Sequence, residues 1–183
     1  NGKIYHDRND NLDSWDEVFR SKEFKIYHKA ENKAWPDSEK PAYEDADVSD
    51  LDYAGGPVMQ KTIQDLPRAK ESGTPFFIAA RFTKPHLPFN APRKYWDLYD
   101  RQAIELASNP FAPEDSPKEA MHNGEELRTM YGGIPQEGAL SEAQARALKH
   151  GYYACVSYTD AMIGEILDEL DRLEMRDDTI IVL

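Results

Sequence analysis

A chain of 183 residues can bury one sizeable core, and 34 acidic against 22 basic residues give a formal net charge of -12. That charge repels phosphate backbones and anionic lipid, which argues against nucleic-acid and membrane-surface partners. The longest apolar run, Phe76-Phe77-Ile78-Ala79-Ala80, falls far short of the ~20 residues of a membrane-spanning helix, and a single cysteine, Cys155, excludes an internal disulfide.

The opening Asn1-Gly2-Lys3-Ile4-Tyr5-His6 carries no initiator methionine and no signal peptide. It pairs a lysine with a histidine, Lys3 and His6, which face opposite sides of a regular strand and reach one ligand only from a turn or strand end. Residues 7–56 are acidic, irregular and dotted with aromatics, and read as a long surface excursion with short helical turns. Within them Asp45-Ala46-Asp47-Val48-Ser49-Asp50 partly matches a calcium loop, but it lacks the glycine and the closing glutamate and reads as a solvated acidic loop.

Gly55-Gly56-Pro57 opens a helical pattern with Val58, Met59, Ile63, Leu66 and Ala69 on one face. Pro67 should kink or shorten that helix, and Gly73 should end it. Residues 75–82 form a continuous apolar run, the signature of a buried parallel strand. A proline-rich loop follows, then a variable stretch over 100–140. Ser141-Glu142-Ala143-Gln144 has the form of a capping box. From there Leu148, Tyr152, Cys155, Val156, Thr159, Ile163, Ile166, Leu167, Leu170 and Leu173 recur at spacings of three and four, predicting one long amphipathic helix. The final Thr179-Ile180-Ile181-Val182-Leu183 reads as a strand buried on both faces. Chains seldom stop inside such a strand, so both ends read as cut. The alternation of helices and strands predicts an α/β fold, a mostly parallel sheet covered by helices.

One window breaks the acidic trend. Between Glu71 and Asp97 there is no acidic residue, while Arg81, Lys84, His86, Arg93 and Lys94 all fall inside. Lys84-Pro85-His86-Leu87-Pro88-Phe89 leaves the carboxyl end of the predicted strand, where open α/β sheets bind ligands. A stiff loop carrying a cation and an imidazole suits an anionic ligand whose leaving group needs a proton. A proline-stiffened connection with solvated side chains would carry the same residues. His28, His122 and His150 have no such context and read as ordinary surface or helix residues.

Three blocks, in order, resemble the sulfatase family of the alkaline-phosphatase-like superfamily, and within it the iduronate-2-sulfatase branch with its bacterial relatives. They are Gly2-Lys3-Ile4-Tyr5-His6 with Ser14-Trp15, Pro75-Phe76-Phe77 through Lys84-Pro85-His86-Leu87-Pro88-Phe89, and Gly151-Tyr152-Tyr153-Ala154-Cys155-Val156-Ser157-Tyr158-Thr159-Asp160 through Val182. The resemblance implies that the chain is the central portion of one sulfatase catalytic domain, with 7–56 and 100–140 as surface excursions. It implies that Lys3 and His6 contact the catalytic formylglycine and the sulfate, that His86 lies beside the scissile ester oxygen, and that Lys84 is an anion contact. It also implies a formylglycine nucleophile and a divalent ion, usually Ca2+, both supplied from outside these residues, a sulfated sugar as substrate, and a periplasmic or secreted location. Choline sulfatase, phosphonate monoester hydrolase and a non-catalytic glycan-binding relative are the competing readings. Cys155 lacks the Pro and Arg of the family's nucleophile motif and lies on the apolar stripe of the long helix, so it reads as a buried structural thiol. Asp160, on the same helix, reads as structural.

Overall fold

The computed structural model describes residues 1, 2, 4, 11–21, 25–122 and 124–183. Its α-helices are α1 (Ala30–Ala34), α2 (Gly55–Ser72), α3 (Arg93–Trp96), α4 (Glu125–Met130) and α5 (Glu142–Arg172), and its strands are β1 (Tyr43–Glu44) and β2 (Phe89–Asn90). The chain divides into two compact units, Asn1–Ile26 with Val48–Pro85 and Val156–Leu183, and Tyr27–Asp47 with His86–Cys155.

In the first unit α2 buries Val58, Met59 and Leu66 of the predicted stripe, together with Thr62, while Ile63 and Ala69 are half-buried. Pro67 does not shorten the helix, which runs on to Ser72. One missing donor inside an 18-residue helix is outweighed by the remaining ladder and by the packing of Leu66 with Leu170 and Met175. Gly73 then ends it in the left-handed region at φ 62°.

The two predicted strands of this unit are corrected. Among the described residues, 75–80 and 179–183 join no sheet ladder, and the run ends in a single parallel bridge between Gly2 and Arg81. The amine of Asn1 donates to the Ala79 carbonyl at 2.6 Å, and the Arg81 amide donates to the Asn1 carbonyl at 3.0 Å. Ile78 packs onto the Leu66–Leu170–Met175 cluster, so one side of the extended segment is covered. The other is not: Phe77 is 79% exposed and Ile180 93%. Burial on both faces needs a neighbour on each, and the described residues cover one.

The second unit holds a short parallel sheet, with Tyr43 opposite Phe89 and Glu44 opposite Asn90. The ladder continues past the strands, because Ala91 donates to the Glu44 carbonyl and Arg93 to that of Ala46. Tyr27, Ala42, Glu44 and Ala46 are buried, so part of the acidic stretch is core. The buried carboxylate of Glu44 accepts from the amides of His28 (2.7 Å) and Lys29 (3.0 Å) and from Asn32 Nδ2 (2.8 Å). Those three donors offset its desolvation and hold the entry to α1. Beside it Asp45 is paired with Lys29 at 2.5 Å and Arg93 at 3.5 Å, so this part of the acidic loop is neutralised locally.

The predicted capping box is present: Gln144 N donates to Ser141 Oγ at 3.2 Å, and Ser141 N to Gln144 Oε1 at 3.1 Å. The long helix that it opens is unbroken over 31 residues. In the second unit its Gly151 packs on β2 and α3. A Cβ there would sit 2.8 Å from Phe89 Cβ and from Trp96 Cη2, so only glycine fits.

Candidate functional site

The loop that leaves Arg81 passes through Lys84-Pro85-His86-Leu87-Pro88 into β2, and both of its X-Pro bonds are cis. The division between the units falls after Pro85, so Lys84 belongs to the first unit and His86 to the second. In the first unit Lys84 is half-buried, and its carbonyl accepts from Thr159 Oγ1 of α5 at 3.4 Å. Tyr158, next to that threonine, is buried, and its hydroxyl donates to the Asp50 carbonyl at 2.6 Å. Thr159, in the α5 block of the sequence resemblance, thus meets the loop's upstream end, while Tyr158 holds the chain at Asp50.

In the second unit His86 is exposed, with 59% of its side chain accessible. Its Nδ1 lies 2.8 Å from the Leu87 carbonyl. A carbonyl only accepts, so Nδ1 carries the hydrogen, and Nε2 is the nitrogen turned away from the backbone. Glu126 Oε1 of α4 lies 3.8 Å from that Nε2. Two other cations of the sequence window have structural partners: Arg93 pairs with Asp45, and Lys94 lies 4.9 Å over the Tyr95 ring. Spatially the window is less cationic than its sequence, since Asp45 and Glu126 come to it from elsewhere in the chain.

Lys3 and His6 lie outside the described residues. The anchor just before Lys3 is described. Gly2 takes φ +83° with its α-carbon against the Arg81 carbonyl, a position that a side chain would obstruct. Asn1 Nδ2 donates to Thr62 Oγ1 at 3.2 Å and to Asp65 Oδ2 at 2.9 Å. Asp65 also takes Lys61 and Arg68, and both cations reach Glu17, at 2.6 and 2.8 Å. Burial opposes ionisation of Asp65, but the bonds from Lys61, Asn1 and Arg68 outweigh it and hold its carboxyl below the usual range. The bond from Lys61 does the same for Glu17, helped by Arg68.

Cys155 is fully buried, its Sγ 3.6 Å from the Asn90 carbonyl, as expected of a structural thiol. Asp160 is exposed on α5. His150 is a helix residue, as read from the sequence, and it is 6% exposed with both ring nitrogens engaged. Arg101 Nε donates to its Nδ1 at 3.1 Å, its Nε2 donates to the Trp96 carbonyl at 2.8 Å, and its ring meets Trp96 edge-on at 4.8 Å. Helical periodicity places residue 150 on the inner face, but a polar ring there gives no sequence sign of its partners.

Helices packed with a small parallel sheet, and a Lys-Pro-His loop running into it, are those of an α/β protein. The sequence profile of the sulfatase family matches residues 6–183, and the chain belongs to that family. It is 30% identical over 198 residues to iduronate 2-sulfatase of Homo sapiens, covering 98% of this chain and 36% of the relative. It is 33% identical over 115 residues to choline-sulfatase of Rhizobium meliloti (61% and 21%) and 28% identical over 151 residues to an ulvan-active sulfatase of Formosa agariphila (80% and 24%). The chain thus spans 21–36% of the length of these relatives.

Proposed function

We propose that the protein carrying this chain hydrolyses the sulfate ester of a sulfated sugar, uronate 2-sulfate-like, and that His86 protonates the departing alcohol. The observation that carries this reading is the His86 imidazole, tethered through Nδ1 to the Leu87 carbonyl in a loop that lies within the family match. A fixed, exposed ring turns Nε2 outward; with the Nδ1 hydrogen held by the carbonyl, the ring acts as imidazolium, and its second proton, on Nε2, goes to the oxygen whose bond to sulfur is breaking. Lys3, His6 and Lys84 would receive the negative charge of the sulfuryl oxygens. Relatives named iduronate 2-sulfatase and ulvan-active sulfatase support a sugar as the alcohol.

A formylglycine would supply the nucleophile and a divalent ion such as Ca2+ would polarise the sulfate. Among the described residues no group of three or more His, Cys, Asp or Glu side chains converges as a metal site, and buried Cys155 is unsuited to attack. In this reading both groups come from polypeptide outside these residues, and a periplasmic or secreted location fits such a substrate. The test is sulfate release by the full-length protein from an aryl sulfate and from a uronate 2-sulfate, with the isolated 183-residue chain giving none. Turnover by the isolated chain, or no release by the full-length protein, would sink the proposal.

A further inference from the structure

Glu126 has no part in the chemistry above, yet its Oε1 lies 3.8 Å from the nitrogen expected to protonate the leaving group. At that length the two groups make at most a weak direct bond. Both are well exposed, at 59% and 43% of their side chains, so the pair adds little to folding. The geometry suits a guest better. With the ester oxygen of a sulfated sugar at His86 Nε2, the oxygen on the adjacent ring carbon falls within about one hydrogen-bond length of it. A hydroxyl there is a donor, and Glu126 Oε1 is an acceptor 3.8 Å from Nε2. An ionised carboxylate is acceptor-only, so it bonds a hydroxyl and repels a second sulfate at the same place.

We propose that Glu126 is a specificity-determining residue that accepts a hydrogen bond from the hydroxyl next to the sulfate ester, making sugars with a free vicinal hydroxyl the preferred substrates. This rests on the sulfatase reading of His86. It concerns the alcohol alone, because in that reading the oxygen at His86 Nε2 is the one the alcohol keeps.

The experiment compares kcat/KM of the full-length protein on three matched sulfated monosaccharides, with a free, a deoxy and a sulfated vicinal position, alongside an aryl sulfate. The wild type should favour the hydroxyl over the deoxy sugar by about tenfold or more. Glu126→Ala should bring that ratio to within about twofold, and Glu126→Gln, which keeps an acceptor but no charge, should retain part of it while relaxing the bias against the vicinal disulfate. An equal kcat/KM on the hydroxyl and deoxy sugars in the wild type, or a ratio that Glu126→Ala leaves in place, overturns the assignment. If the wild type releases no sulfate even from the aryl ester, the sulfatase reading falls; if it cleaves the aryl ester with a flat sugar ratio, only Glu126 falls.

Discussion

His86 and His150 belong to the same compact unit and share a side chain, but nothing else about their surroundings is alike. His150 has both ring nitrogens bonded, to Arg101 and to the Trp96 carbonyl, inside a wall of aromatic rings. His86 has one nitrogen tied to the next residue's carbonyl and the other turned toward an exposed carboxylate. A histidine buried with both ring nitrogens bonded in the core is a structural element; one whose ring is exposed can serve chemistry. The difference lies in neighbours that come from far along the chain, 49 residues away for Arg101 and His150.

That contrast can be broken by substitution. In the full-length protein His86→Ala should lower kcat by about 10²-fold or more, with the melting temperature unchanged within error. A loss of activity matched by a loss of folded protein would make His86 structural instead. His150→Ala should do the reverse. It leaves Arg101 Nε and the Trp96 carbonyl without their partner and empties a ring from the core, costing about 2–4 kcal/mol in denaturant unfolding of the 183-residue chain. His150→Phe refills the space without the bonds and should recover only part. A neutral His150→Ala would remove it from the core.

The smallest effect concerns the anchor ahead of Lys3. Asp65 has a depressed folded pKa, so its contribution is fully present above the unfolded carboxylate value of about 3.9 and is lost as pH falls through the folded value. Asp65→Asn should therefore cost about 1 kcal/mol near pH 7, and the gap to wild type should close below about pH 4. A gap that persists unchanged at pH 2 would show that charge is not what Asp65 contributes.

Much of the helical part of the fold is legible in the amino-acid sequence. The α2 stripe, its Gly73 cap, the Ser141–Gln144 box and the unbroken α5 all follow from local spacing and capping, and each is present. The strands predicted at 75–82 and 179–183 fail because a strand's partners are non-local, and apolarity alone does not say which face they cover. Pro67 does not end its helix because propensity is weak against tertiary packing. Among the candidate residues, Lys84 and His86 stand out in the sequence by charge and proline context. Glu126 and Asp45 do not, since an acidic residue in an acidic chain carries no mark until folding sets it beside a cation.

Gly151 gives the loop a boundary condition. β2 starts three residues after His86, and its first side chain, Phe89, touches α5 where a single hydrogen replaces a Cβ. A glycine inside a helix forgoes about 1 kcal/mol of helix propensity relative to alanine. In exchange, helix and strand approach to a distance that any larger residue would forbid. Enlarging residue 151 by one methyl group would push on Phe89 and so re-aim an imidazole that it never touches. The aim of the imidazole is thus set partly from behind, by a place where the chain has no side chain at all.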